Sequence, residues 1–246
     1  MHITGTRVMI TGGARIGRGV ARHLAEQGAS SIVLTYKTSK DVMIEAAAEL
    51  QALGTRSLVY RMDVTSEDEI NAVVNKVYAE LGGLDVLINM ASIYKARAIG
   101  SLSLQDWRED LDSNATGTFL CMRAVAPRMY EQGSGRIINF VDWTVASRRV
   151  DYKHYATYYA AKHAILGLTE AYALEYAPKV LVNCIAPGPI LPPAELNEAE
   201  AAAILAETPL GRWGGSEEIA EAVAFLIRTN FVTGECIRVD GGRHLK

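Results

Sequence analysis

Cysteine is scarce. Three occur in 246 residues, Cys121, Cys184 and Cys236, odd in number, far apart and in apolar surroundings. That pattern argues against a disulfide framework or a zinc knuckle and fits a reducing compartment. Each is expected to act as a small buried hydrophobe. Long apolar runs are missing as well: the longest are strand-sized, such as Val8-Met9-Ile10 and Ile137-Ile138-Asn139-Phe140-Val141. A membrane-spanning helix would need roughly 18 such residues. The opening MHITGTR has no apolar core of a secretory leader. Nor is there an excess of positive charge, because 25 Lys and Arg face 28 Asp and Glu for a net charge of −3. No basic field therefore favours nucleic acid or an anionic membrane, and a cytoplasmic location is expected. The five histidines, His2, His23, His154, His163 and His244, show no ligand spacing, so no metal is expected.

What the sequence does have is a steady alternation of strand-like and helix-like segments. Strands are expected at 7–11, 31–36, 57–62, 84–89, 136–141, 180–186 and 235–239. Helices are expected at 16–27, 40–53, 66–81, 104–132, 155–177 and 216–228. Ser66-Glu67-Asp68-Glu69 reads as a capping box opening the third helix. Strands separated by helices of this size build right-handed βαβ units. The expected architecture is α/β, a single doubly wound (Rossmann-type) parallel sheet with helices on both faces. No linker or repeat divides residues 1–246, so one domain is expected. Residues 187–215 are irregular, with an Ala/Glu-rich patch at 194–207 that could form a short helix, and read as a loop or lid over a site.

In such sheets, ligands bind beyond the C-terminal ends of the strands. The first strand runs into Thr11-Gly12-Gly13-Ala14-Arg15-Ile16-Gly17-Arg18-Gly19 and then a helix. Glycines there permit a tight turn and close approach of a pyrophosphate to the helix N-terminus. The second strand ends in Thr35-Tyr36-Lys37-Thr38-Ser39, with no acidic residue before Asp41 to bond ribose hydroxyls. Lys37, Thr38 and Ser39, with Arg15 or Arg18, offer donors suited to a 2′-phosphate. NADP(H) is the expected cofactor.

Tyr158 and Lys162 are four residues apart in a helical stretch and share one face. A phenol titrates near pH 10, and a neighbouring ammonium would lower that value and make proton exchange with a carbonyl or imine feasible. Tyr155 and Tyr159 repeat the spacing without a cation and suit pocket walls.

With these residues in view, nearly the whole chain resembles the short-chain dehydrogenase/reductase family. TGGARIGRG is similar to its glycine motif, Asp63-Val64 to its adenine-contacting pair, and Asn89-Met90-Ala91-Ser92 to its Asn-Asn-Ala-Gly segment. Asn114 in DSNATG, Tyr158 with Lys162, Pro187-Gly188 and Val239-Asp240-Gly241-Gly242 are similar to its remaining signatures. The resemblance implies that Tyr158 donates the proton, Lys162 binds the nicotinamide ribose, and Asn114 helps hold a water relay. It implies a cofactor site made of Gly12, Arg15, Ile16, Gly17, Tyr36, Lys37, Thr38, Asp63, Val64, Asn89, Ala91, Ser92, Tyr158, Lys162, Pro187, Gly188 and Ile190.

Three departures from the family pattern stand out. The glycine turn has four residues between Gly12 and Gly17 where five are usual, and Met90 replaces the second Asn. The customary Ser is absent: Val145 stands thirteen residues before Tyr158, and Ser147 is the fallback in the insertion TVASRRVD. Asp142, at the end of its strand, instead resembles the pteridine-reductase branch, as do TGGAR and Ala91-Ser92-Ile93-Tyr94. That likeness implies a substrate site of Tyr94, Asp142, Trp143 and Tyr152, with Asp142 also in the catalytic set. Physically, a carboxylate can accept two hydrogen bonds from a 2-aminopyrimidine edge; equally, Asp142 could be a cap on the following loop.

The expected activity is NADPH-dependent reduction of a carbonyl or pterin-type C=N bond. The alternatives are a 3-oxoacyl-thioester or general ketone reductase, and a non-catalytic NADP-binding sensor. Family members commonly form tetramers, so a homotetramer is expected first and a homodimer second.

Overall fold

The computed structural model describes residues 1–149, 153–193 and 196–246. Seven strands form one parallel sheet: β1 Arg7–Thr11, β2 Ser31–Tyr36, β3 Arg56–Arg61, β4 Val86–Asn89, β5 Gly135–Phe140, β6 Val180–Pro187 and β7 Cys236–Val239. Their spatial order is β3-β2-β1-β4-β5-β6-β7. The order reverses between β1 and β4, whose ends are in register at Thr11 and Asn89. Strands leaving in opposite directions open a crevice at that point, which is where ligands of such sheets bind.

The helices are α1 Ile16–Glu26, α2 Lys40–Ala52, α3 Glu67–Leu81, α4 Leu104–Leu111, α5 Gly117–Gln132, α6 Trp143–Ala146, α7 Ala156–Tyr176, α8 Glu198–Ala206 and α9 Ser216–Arg228. Successive strand residues point to opposite faces, so each strand feeds two cores. Val8 and Ile10 of β1 join Leu24, Leu50, Ile219 and Val223 on the α1, α2 and α9 side. Met9, between them, joins Val77, Met122 and Val125 on the α3 and α5 side. Full burial of such a side chain contributes ~1.5–3 kcal/mol, which explains why the strands read as unbroken apolar runs rather than alternating ones.

Several local expectations need correcting. The Ser66 capping box is half formed: Ser66 accepts from the Glu69 amide, but the Glu69 carboxylate takes the Asp63 amide and Arg61 instead. The expected helix at 104–132 is α4 and α5 joined by a π-helical turn, Asp112–Thr116, which contains Asn114. Two complete capping boxes, Ser103 with Asp106 and Asn197 with Glu200, start α4 and α8. α8 lies within the irregular 187–215 region, at 198–206 rather than across the whole Ala/Glu-rich patch.

Candidate active site

A cleft of about 800 Å³ runs along the C-terminal ends of the strands, from the first glycine turn past Asp142 and Tyr158 to the 187–193 segment. Its cofactor end begins where β1 leaves the sheet. Gly12 sits at φ +64, and a Cβ there would lie 2.7 Å from the Ala91 Cα, so only glycine allows the two loops this approach. The Thr11 hydroxyl accepts from the Met90 and Ala91 amides at 3.2 and 3.4 Å, fastening the ends of β1 and β4 together. α1 begins at Ile16 with no acidic residue in its first turn. Its free amides and dipole suit a pyrophosphate. The narrow glycine floor and this helix end fit a dinucleotide.

Among the residues expected to bind cofactor, Gly12, Arg15, Ile16, Tyr36, Lys37, Thr38, Asp63, Val64, Ala91, Ser92, Tyr158, Lys162, Pro187, Gly188 and Ile190 line the cleft. Gly17 and Asn89 do not. Gly17 is buried in packing behind the turn, where a Cβ would meet Gly12 O and Ile10 at 3.5 Å. Asn89 is buried in the sheet, its amide donating to Asn139 Oδ1 at 2.9 Å. Arg18 also points elsewhere, paired with Glu49 and Glu45. Lys37 lies 2.7 Å from Asp63 Oδ2. Burial works against the Asp63 carboxylate, but hydrogen bonds from Lys37 and Thr65 outweigh it and hold its pKa below the usual value.

The chemical end of the cleft is built from β5, α6 and α7. Tyr158, on the first turn of α7, is buried, and its hydroxyl donates to Asp142 Oδ2 over 3.4 Å. Asp142 caps α6, its Oδ1 accepting from the Thr144 amide at 2.9 Å and the Thr144 hydroxyl at 2.7 Å. The cap expected as the alternative for Asp142 is therefore formed through Oδ1, while Oδ2 faces the phenol. Lys162, 3% exposed, donates to Phe140 O at 3.0 Å, and its Nζ is 5.5 Å from the Tyr158 ring centre.

That geometry changes the expected electrostatics. Burial, then the Asp142 charge and Tyr94, push the Tyr158 phenol well above its usual pKa. Lys162 was expected to lower it, but its ammonium donates to Phe140 O, and no hydrogen bond from it to the phenol oxygen occurs among the described residues. Burial in turn brings Lys162 down to about 8, against the opposing pull of Asp142. Burial thus favours the protonated form of Tyr158.

Asn114 does not line the cleft but lies directly beneath it, fully buried. Its Oδ1 accepts from Ser92 at 2.5 Å, and its Nδ2 donates to Ile93 O and Asp110 O at 3.2 and 2.9 Å. Ser92, which lines the cleft, is therefore tied to the buried Asn114. Tyr94 stacks on Tyr155, with centroids 4.1 Å apart at 11°, and meets Tyr158 edge-on at 4.8 Å. Trp143 lines the same end, whereas Tyr152 lies outside the described residues. Ser147 does not reach the cleft, and Val145 is fully buried in the core behind it.

Sequence reasoning missed Trp213, Ile204 and Arg243, which also line this end. The Arg243 guanidinium donates to Ile204 O at 2.8 Å, lies 2.7 Å from Glu207 and stacks 5.6 Å from the Trp143 ring. An Arg following Gly-Gly near the end of the chain was the only signal, and nothing local connects it to α8. Among the described residues no cluster of three or more His, Cys, Asp or Glu could hold a metal ion, and no helix is long and apolar enough to cross a membrane.

The chain is similar to known proteins over nearly its whole length. Residues 12–244 match the family described as Enoyl-(Acyl carrier protein) reductase. The chain is 34% identical over 243 residues to a 3-oxoacyl-[acyl-carrier-protein] reductase FabG of Staphylococcus aureus, covering 96% of this chain and 97% of that protein. A short-chain type dehydrogenase/reductase from Mycobacterium ulcerans superimposes with a TM-score of 0.91 at 28% identity, covering 100% of this chain and 92% of the other. NAD+-bound xylitol dehydrogenase superimposes with a TM-score of 0.89 at 28% identity, covering 98% and 100%. With the seven-stranded parallel sheet, the glycine turn and the Tyr158–Lys162 pair on one cleft, these similarities show that the chain is an oxidoreductase-type member of the short-chain dehydrogenase/reductase family.

Proposed function

We propose that this protein is an NADPH-dependent ketone reductase acting on substrates of the 3-oxoacyl-thioester class, with Tyr158 as proton donor. The observation that carries the reading is the buried Tyr158 phenol, kept protonated at the end of a cleft whose other end suits a dinucleotide. The bound nicotinamide would supply hydride to the carbonyl carbon. Tyr158 would give its proton to the carbonyl oxygen, Lys162 would hold the ribose and keep positive charge near the reaction, and Asn114 would order the floor through Ser92.

The similarity to 3-oxoacyl-[acyl-carrier-protein] reductases favours a ketone over a pterin, and so does the geometry of Asp142. A two-pronged clasp on a 2-aminopyrimidine needs both carboxylate oxygens, but Oδ1 already accepts twice from Thr144. Tyr94 has one face against Tyr155, which limits its use as a pterin platform. NADPH oxidation against acetoacetyl-coenzyme A, a simple ketone and a dihydropterin tests the reading. Turnover should be best on the thioester. A clear pterin preference would restore the pteridine-reductase reading, and no turnover on any of the three would favour a binding protein.

Cofactor choice rests on Lys37, Thr38 and Ser39 lining the cleft at the end of β2. A charge-assisted bond to the 2′-phosphate contributes ~1.5–3 kcal/mol, or roughly 10- to 100-fold in affinity. Lys37→Asp should therefore weaken NADPH by about that factor and leave NADH unchanged or improved. Equal binding of both cofactors by the unmodified protein, measured by titration, would refute the assignment. The homotetramer expected from the family resemblance is kept as part of this proposal, and light scattering showing an active monomer would overturn it.

A further inference from the structure

Asp110 is fully buried near the end of α4, although charged side chains are rarely placed there without a purpose. Its Oδ2 accepts from the Thr157 hydroxyl, on the residue preceding Tyr158, and lies 3.6 Å from Arg97 Nε. Its backbone carbonyl accepts from Asn114 Nδ2 at 2.9 Å. Arg97, with a side chain only 12% exposed, also reaches Asp106 and Glu109 at 2.6 Å each. One guanidinium thus engages three carboxylates on α4.

Arg97 belongs to the loop that carries Tyr94. Its amide donates to His154 O at 2.6 Å, just before α7 begins. His154 has φ +73, a left-handed conformation uncommon for a residue with a side chain, so this junction is held by its surroundings. The two attachments, Arg97 to α4 and Arg97 to His154, fix the loop at one end of the Tyr94 ring. The same ring stacks on Tyr155 and stands edge-on to Tyr158.

We infer that Arg97 and Asp110 are positioning residues, which clamp the Tyr94 loop onto the start of α7 and so hold the Tyr94 ring as an aromatic cover against the Tyr158 ring. Neither touches the cleft, since neither is among its lining residues. They act through Tyr94, Asn114 and Thr157. A guanidinium hydrogen-bonded to Asp106 and Glu109 and ion-paired with Asp110 gives orientation that an ammonium does not reproduce. The kinetic part of this inference rests on the ketone-reductase reading; the spectroscopic part does not.

The test compares the full-length protein with Arg97→Lys and with the double variant Arg97→Met/Asp110→Leu. Replacing both charges together avoids stranding either one in the interior. Three readouts are taken. The first is the alkaline absorbance titration of the Tyr158 phenol, isolated by subtracting Tyr158→Phe. The groups facing it are Asp142, Lys162, Tyr94 and Tyr155, all unchanged in the variants. Opening the cover rehydrates the phenol, so its titration should move down toward the ordinary tyrosine range in the double variant, and part of the way in Arg97→Lys. The second is amide exchange over 91–98, which should accelerate while the sheet stays protected. The third is turnover of acetoacetyl-coenzyme A, where kcat should fall on the order of 10- to 100-fold, as expected when a reacting group is misplaced. KM for NADPH should stay within about twofold, because no cofactor contact is lost.

A folded double variant with an unchanged Tyr158 titration and unchanged kcat would overturn the inference and leave the cluster a structural tie alone. If the double variant does not fold, Arg97→Lys decides: a wild-type titration and wild-type exchange over 91–98 would overturn it. If even the unmodified protein fails to reduce the thioester, the substrate reading is wrong, and the titration and exchange still decide the positioning role.

Discussion

Tyr158→Phe is expected to lower kcat by about 10²- to 10⁴-fold, the usual contribution of a positioned general acid. The change removes one hydroxyl from a buried ring. Among the described residues it breaks one hydrogen bond, 3.4 Å long, to Asp142 Oδ2, on a residue that lines the cleft. The ring keeps its edge contact with Tyr94, so the pocket wall stays in place. NADPH affinity should change by less than about threefold, because the lost group is needed for proton transfer rather than ground-state binding. Retained turnover would mean that the proton is delivered from elsewhere, the first place to look being solvent at the Asp142 carboxylate. Its Oδ2 is the only oxygen of that carboxylate not already engaged by Thr144.

The second large effect concerns Lys162 and pH. Burial has brought its pKa down to about 8, while Tyr158 is held well above the ordinary tyrosine value. The two groups therefore lose their protons in the opposite order from that expected for free side chains. Lys162 is a cation below pH about 8 and becomes neutral as pH rises through that value. Tyr158 stays protonated across the same range. The alkaline limb of kcat/KM for NADPH, which reports groups of the free enzyme, should accordingly lie near pH 8 and belong to Lys162. Above it, the rate should fall about tenfold per pH unit. Lys162→Met, which preserves length and apolar packing, should remove the limb and leave a low rate that does not vary there. It should also weaken NADPH binding, unlike Tyr158→Phe. A limb that persists in Lys162→Met would assign it to another group, and a limb well above pH 10 would assign it to Tyr158.

Much of this site was legible from residue types and spacing. The parallel sheet followed from strands that are apolar on both faces, as with Val8, Met9 and Ile10, which enter two different cores. Gly12 was legible because a tight approach to another backbone demands glycine, and the structure puts Ala91 at that point. Tyr158 and Lys162 were legible because four residues is one helical turn. Other features needed contacts between distant segments. Asn89 looked like a ribose contact from its motif, but register places it opposite Asn139 inside the sheet. The sign of the Tyr158 shift depended on where the Lys162 ammonium points, and Phe140 O competes for it. Arg97 and Asp110 are thirteen residues apart and meet only because the loop after β4 folds back over α4. Arg243 reaches α8 from the far end of the chain. No local periodicity marks such pairs.

The most direct test of the central claim is single-turnover reduction of acetoacetyl-coenzyme A by the protein loaded with NADPH, with the product identified by mass spectrometry. Loss of the reduced nicotinamide absorbance, matched mole for mole by the 3-hydroxyacyl thioester in the unmodified protein and nearly abolished in Tyr158→Phe, is the predicted result. NADPH that binds tightly but is not consumed, or a hydroxy product formed equally fast by Tyr158→Phe, would contradict it.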